Sequence, residues 1–279
     1  MRLVRFGNKG EERPGLLDAD DRIRDLGGVV DDIDGAALSP TSLQRLAALD
    51  LAELPLVDQG VRLGPPVVGT RNFIAVGLNY ADHAAEAGRA IPEEPVLFNK
   101  APSCIAGAND GFAIPRGAKR TDWEVELAVV IGRRSQYLEQ DNALAAVAGY
   151  CLCNDVSERS FQSERGGQWM KGKSAEGFGP IGPWLLTTDE VADPQKLELW
   201  LDLNGARMQT GSTASMIFGV SHLVWYISQF MVLEPGDIIT TGTPPGVGNA
   251  RKPPVYLKAG DVMELGATGL GSQRQVIHG

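Results

Sequence analysis

Residues 123–131 read WEVELAVVI, and no other stretch limits the fold of this chain as tightly. The β-branched and apolar content marks a strand. Strand side chains alternate between faces, so Glu124 and Glu126 project from the same side, about 7 Å apart along the chain. The residues after Glu126 are continuously apolar, as in a strand buried on both faces, and carboxylates carried into such a strand need a counter-charge or a cation. A second apolar run, residues 148–153, ends in Asn154-Asp155, so a third carboxylate can join the first two. Three converging carboxylates suit a hard, oxygen-seeking divalent ion such as Mg²⁺ or Mn²⁺. A solvated strand face carrying unrelated acids has the same Glu-x-Glu spacing, and spacing does not choose between the two.

A chain of 279 residues with 43% hydrophobic and 22% charged residues has the make-up of a soluble globular protein able to bury a full core. The formal charge of -9 argues against nucleic acid or an anionic membrane as partner, because phosphate surfaces are bound by clustered Lys and Arg. An anionic small substrate would need a local positive centre, which a bound metal provides. No apolar run reaches the roughly 18 residues of a membrane span, and the first residues carry no signal-peptide core, so a cytoplasmic protein is expected. Cys104, Cys151 and Cys153 lack both zinc-site and disulfide-framework spacing and read as small packing residues.

Strand signals at residues 1–6, 15–17 and 22–24, then Ser39 as an N-cap with Pro40 at the first helical position, make the opening a small β-rich unit. A stiff connector ending in Gly64-Pro65-Pro66 places a boundary there, giving a small N-terminal domain of residues 1–66 and a catalytic domain of residues 67–279. The second part begins with an apolar strand at 73–77 and an alanine-rich helical segment that stops at Gly88. His83 and Glu86 are three apart on that segment, so they are surface neighbours, and a carboxylate that orients an imidazole makes a general base for water. A chance histidine on an exposed helix has the same spacing. His222 lies within an apolar helical stretch and reads as structural. Further on, Arg159 and Gln162 at helical spacing can donate to one small anion. Residues 166–183 read as a flexible, glycine-rich loop bringing in Lys171 and Lys173, and Asn204-Gly205 is a hairpin signal. The loop of residues 242–248 lacks the spacing of a nucleotide phosphate loop, but its amides and Thr243 can hold a carboxylate.

Taken in order, Gly77-Leu78-Asn79-Tyr80-Ala81-Asp82-His83, Glu94-Pro95-Val96-Leu97-Phe98, Asp122-Trp123-Glu124-Val125-Glu126-Leu127, Asn154-Asp155-Val156-Ser157-Glu158-Arg159 and the segment from Gly236 to Gly248 resemble the fumarylacetoacetate hydrolase superfamily. The resemblance implies an α+β, mainly β architecture: a mixed β-roll catalytic domain behind a small β-rich N-terminal domain, assembled as a homodimer. It implies one Mg²⁺ or Mn²⁺ per subunit bound by Glu124, Glu126 and Asp155. It also assigns His83 and Glu86 to a water-activating dyad on a mobile lid, Arg159, Gln162 and Lys173 to oxyanion contacts, and Tyr80, Lys100 and Thr243 to substrate binding. Lys171 falls outside the family's lysine position. A further aspartate that completes the metal shell in the largest members has no match, which leaves room for water or substrate oxygens.

Residues 13–18 and the Gly166-Gly167 loop further resemble hydrolases of 2,4-diketo-3-deoxy sugar acids such as the L-rhamnonate and L-fuconate derivatives, whose relatives also carry the label ureidoglycolate lyase. The implied reaction is hydrolysis of a carbon-carbon bond in a small anionic 2,4-diketo acid, leaving pyruvate and a second acid. The same site would serve a metal-dependent decarboxylase or isomerase of 2-oxo acids, and a binding protein without turnover is the remaining alternative.

Overall fold

The computed structural model describes residues 1–86 and 88–279. The chain opens with β1 (Arg2–Phe6), β2 (Arg13–Leu17), β3 (Ile23–Asp25) and helix α1 (Pro40–Ala47), whose Ser39 cap accepts the Ser42 amide. It continues through β4 (Phe73–Gly77), α2 (Ala81–Glu86), β5 (Val96–Lys100), β6 (Ile105–Gly107), β7 (Phe112–Ala113), β8 (Thr121–Asp122) and β9 (Val125–Ile131). Then come β10 (Val147–Asn154), β11 (Ser157–Glu158), α3 (Arg159–Glu164), α4 (Met170–Lys173) and β12 (Gly179–Thr187). The chain closes with β13 (Glu198–Leu203), β14 (Ala206–Ser212), α5 (Val220–Ser228), β15 (Ile238–Thr240), β16 (Val262–Ala267) and β17 (Gly271–His278).

A large mixed sheet runs β3-β2-β1-β12-β10-β9-β15-β4-β5, with β6 alongside β12, and a second sheet runs β14-β13-β16-β17-β7. This is the mainly β, α+β architecture that the sequence implies. At the centre, β9 and β10 are buried at every residue, which explains their unbroken apolar runs: neither face meets water. Their antiparallel register sets Cys153 opposite Glu126 and Asn154 opposite Val125, so the acids of both strands emerge at the same end. On the other side β9 pairs with β15, which continues into parallel pairing with β4. The carboxyl ends of β4 and β15 therefore deliver residues 78–86 and 241–249 to one place. Among the described residues, no helix is long and apolar enough to cross a membrane.

The first 66 residues do not stand apart in hydrogen bonding. β1 pairs with β2 and also with β12, and Arg62 joins Glu12 to Asp110. Two stretches read as loop from sequence are ordered elements. Met170–Lys173 is a single helical turn, and Gly179–Thr187 is a strand inside the large sheet. Glycine and proline at Gly179, Pro180, Gly182 and Pro183 disguise that strand. Gly179 is there because a Cβ would lie 2.7 Å from the Phe73 ring. Close packing, not flexibility, selects it.

Candidate active site

Glu124 precedes β9, Glu126 is its second residue, and Asp155 follows β10. The ladder runs on past the strand ends: the Asp155 amide donates to the Glu124 carbonyl at 2.8 Å, and the Asn154 side chain accepts the Glu124 amide at 3.0 Å. One oxygen from each of Glu124, Glu126 and Asp155 lies within 4.8 Å of the others, and all three side chains are buried. Bare carboxylates at that separation repel one another in a low-dielectric setting.

Three buried cations compensate them. Lys173 Nζ stands 2.7 Å from Glu124 Oε2 and 2.6 Å from Asp155 Oδ2, and Lys100 Nζ stands 2.6 Å from Asp155 Oδ1 while also donating to the Lys173 carbonyl. Arg159 Nη1 reaches Glu124 Oε1 at 2.7 Å, and its Nε and Nη2 both donate to Asp122 Oδ2, at 2.9 and 2.8 Å. Burial works against ionisation of Glu124, but Lys173 and Arg159 outweigh it and hold the carboxyl well below its ordinary range. Glu126 is different. Among the described residues it has no ion pair, and burial together with the charges of Asp155 and Glu124 pushes its carboxyl well above the usual value. Its firm contact is the Gly242 amide at 2.8 Å.

Counting Asp122, Glu124, Glu126 and Asp155 against Lys100, Arg159 and Lys173, the fully ionised cluster carries one negative charge in excess. A divalent cation turns that excess positive, so the same residues then favour an anionic ligand. The donor set is entirely carboxylate oxygen, the chemistry of Mg²⁺ or Mn²⁺ rather than zinc. Beside Glu126 the Tyr80 hydroxyl is buried without a hydrogen-bond partner among the described residues, and burial first and Glu126 second hold it protonated. An unpartnered donor at this position is available to a ligand.

Helix α2 forms the rim. His83 is nearly buried, with Nδ1 3.5 Å from Glu86 Oε2, and stands close enough to Glu124 to favour its ionised form. The Glu86 carboxylate takes the Gly246 amide with both oxygens, at 3.0 and 3.2 Å. Burial opposes charge on Glu86, but His83 and the Gly246 amide outweigh it. At the root of the rim, buried Asn79 bonds Phe218 through both of its side-chain atoms and donates to the Thr241 carbonyl, tying the end of β4 to the stretches beside it.

Of the residues singled out from sequence, Arg159 and Gln162 lie together on α3, with Nη1 donating to Gln162 Oε1 at 3.2 Å. Lys173 enters the cluster, whereas Lys171 is exposed and donates to the Arg165 carbonyl. Thr243 is buried beside the centre but bound internally: it donates to the Val125 carbonyl at 2.9 Å and accepts from Gln209 at 2.8 Å. Sequence reasoning passed over Asp122, Gln209 and Trp169. The Trp169 ring packs 5.3 Å from Phe98, over which Lys173 Nζ sits at 5.1 Å, and it crosses Gly77 so closely that a Cβ there would be 2.4 Å away. Only Asp122 left a trace in the sequence, as the acid two residues before Glu124.

Comparison with known proteins gives a consistent picture. A family profile described as fumarylacetoacetate hydrolase C-terminal matches residues 72–278. A relative from Burkholderia multivorans, described in general terms as a hydrolase, is 58% identical over 277 residues, covering 99% of this chain and 98% of its own. The solved fumarylacetoacetate hydrolase of psychrophilic Exiguobacterium antarcticum superimposes with a TM-score of 0.88 at 37% identity, covering 100% of this chain and 99% of its own. A 2-hydroxyhepta-2,4-diene-1,7-dioate isomerase from Mycobacterium marinum aligns with a TM-score of 0.75 at 30% identity, covering 100% and 98%. Maleylpyruvate hydrolase from a Sphingobium species aligns with a TM-score of 0.82 at 26% identity, covering 100% and 99%.

Proposed function

The chain belongs to the fumarylacetoacetate hydrolase family of enzymes, and from that premise we propose that it hydrolyses a carbon-carbon bond of a 2,4-diketo acid, giving pyruvate and a second acid. The observation that carries this reading is the buried Glu124, Glu126 and Asp155 cluster with Lys100, Lys173 and Arg159 packed directly against it. These three carboxylates would hold Mg²⁺ or Mn²⁺, which when bound polarises the 2-oxo acid end of the substrate as a Lewis acid. The 2,4-diketo-3-deoxy sugar acids are the first candidates, and assembly as a homodimer belongs to the same proposal.

His83 takes a proton from water, and the hydroxide adds to the carbonyl at C4. Glu86, 3.5 Å from Nδ1, orients the imidazole. Arg159, Gln162 and Lys173 donate to the oxyanion that develops at C4. Collapse reforms that carbonyl as a carboxylic acid and breaks the C3–C4 bond, whose electron pair leaves on C3 as an enolate. The proton held by His83 returns to C3, so water is divided between the two products. Tyr80 offers its unpartnered hydroxyl to the ligand from the Glu126 side.

The isomerase neighbour supports a second reading, keto-enol isomerisation of a hydroxy-dienoate dioate at the same carboxylates. Product analysis separates the two. Pyruvate release from a panel of 2,4-diketo acids, dependent on Mg²⁺ or Mn²⁺ and abolished by chelator, is the expected result. Rearrangement of a hydroxy-dienoate dioate without pyruvate release would replace hydrolysis by isomerisation.

A further inference from the structure

Asp122 lies two residues before Glu124 and is not one of the three candidate metal ligands, yet it is completely buried. Its two oxygens accept five donors. Oδ1 takes the Gly248 amide at 2.7 Å and the Trp123 amide at 2.9 Å; Oδ2 takes Arg159 Nε and Nη2 and the Asn249 amide at 2.9 Å. A carboxylate offers about four lone-pair sites, so Asp122 has nothing left for a substrate. Its work is internal.

The same short loop receives the rim helix. Gly246, two residues before Gly248, gives its amide to Glu86, while its carbonyl accepts from Trp123 Nε1 at 3.2 Å. Gly246 has φ of +110° and a Cβ there would lie 2.1 Å from the Met208 carbonyl; at Gly248 a Cβ would lie 2.0 Å from the Val255 carbonyl and 2.7 Å from Asp122 itself. Glycine is required at both positions so that backbone amides can come within bonding distance of carboxylates.

We propose that Asp122 is a positioning residue that aligns two separate parts of the site at once: the Arg159 guanidinium, whose Nη1 is thereby directed to Glu124 and Gln162, and the Gly246 amide on which Glu86 seats α2. Closure of the rim helix and alignment of the oxyanion group are thereby set by one buried carboxylate. The inference rests on the roles given above to His83, Glu86 and Arg159, but the seating of α2 can be measured without any substrate.

The test compares Asp122→Asn, Trp123→Phe and Glu86→Ala by hydrogen exchange at residues 81–86 in the free protein, with residues 125–131 as the reference for general loosening. The carboxamide presents a donor to amides that need an acceptor, and Trp123→Phe removes the indole hold on Gly246 together with part of a fully buried side chain, whose general effect the β9 reference reads. Both are expected to speed exchange of α2 about tenfold while leaving β9 protected, since local opening reports local free energy. Adding Asp122→Asn to Glu86→Ala is expected to give no further acceleration, because the side chain that takes the Gly246 amide is already gone. Turnover of any accepted substrate should show kcat lowered 10-fold or more in Asp122→Asn with KM within about threefold, the pattern of a lost transition-state contact. Unchanged α2 exchange in Trp123→Phe and Asp122→Asn, or equal loosening of β9, overturns the proposal, and Trp123→Phe decides alone if Asp122→Asn does not fold. Failure of the substrate panel would sink the proposed reaction and leave the exchange result standing.

Discussion

Lys173 and Asp155 meet in a fully buried contact of 2.6 Å, Nζ to Oδ2, and the same ammonium is 2.7 Å from Glu124. One cation therefore spans two of the three candidate metal ligands. Removing one partner of a buried ionic contact leaves an uncompensated charge and costs about 3–5 kcal/mol. Lys173→Met is expected to lower stability of the metal-free protein on that scale, and added Mg²⁺ or Mn²⁺ should restore more of it than the same ion adds to wild type. Thermal melts with and without the ion, in both proteins, decide the matter. Equal ion-induced shifts would show that the lysine and the metal do not answer the same charges.

Glu126 has the opposite balance. It is buried, lacks an ion-pair partner among the described residues and sits beside Asp155 and Glu124, so in the metal-free protein its charge costs stability. Glu126→Gln keeps the shape and the Gly242 hydrogen bond. The variant is expected to be at least as stable as wild type without metal, and to bind Mg²⁺ at least tenfold more weakly by calorimetry. Unchanged affinity would remove Glu126 from the metal site.

Much of this was legible because strand periodicity and burial act locally. The unbroken apolar run of residues 127–131 announced a central strand, and Glu124 and Glu126 at its start demanded a compensated cluster if they were buried with it, though a solvated face has the same spacing. Ser39-Pro40 and Asn204-Gly205 carried their own backbone instructions, and both appear as a helix start and a hairpin turn. Long-range geometry was less visible. Lys100 and Lys173 come from β5 and α4 and meet at Asp155 only in three dimensions. β12 was hidden because Gly179 and Gly182 answer to neighbours in space, Phe73 and Pro66, that its own sequence does not name. Asp122 was hidden because a carboxylate that binds amides of a distant loop looks like any acid at a strand end.

Arg62 contributes to the response to acid. Its guanidinium donates to both oxygens of Asp110, at 2.7 and 2.6 Å, and to Glu12 at 2.8 Å. Burial opposes charge on both acids, but the Arg62 hydrogen bonds outweigh it and hold each below its ordinary value. A carboxyl whose folded value is depressed contributes stability that is fully present above its unfolded value, here 4.5 for Glu12 and 3.8 for Asp110, and is lost as pH falls through the folded one. Arg62→Met should cost about 1–3 kcal/mol near neutral pH, the scale of charge-assisted hydrogen bonds. It should also flatten the decline of the melting temperature between about pH 5 and 3, because the depressed values relax once the guanidinium is gone. Parallel decline in both proteins would assign the acid response elsewhere.

His83 carries the final prediction, because it separates hydrolysis from chemistry that needs only an electron sink. Attack by water requires a proton acceptor, and His83 is the imidazole at this centre, nearly buried, near Glu124 and 3.5 Å from Glu86. A positioned general base is worth about 10² to 10⁴ in rate. His83→Ala is therefore expected to lower kcat for cleavage of a 2,4-diketo acid by a factor in that range with saturating Mg²⁺. Decarboxylation of oxaloacetate, if the protein supports it, loses carbon dioxide without water attack and should fall much less. Glu86→Gln should act between these limits: the carboxamide oxygen still accepts from the Gly246 amide, but the carboxylate charge 3.5 Å from His83 Nδ1 is gone. The loss should appear in kcat rather than KM, since nothing that grips the substrate has changed. Equal losses of both activities in His83→Ala would mean that the histidine serves a step common to the two, and that water is activated by another group.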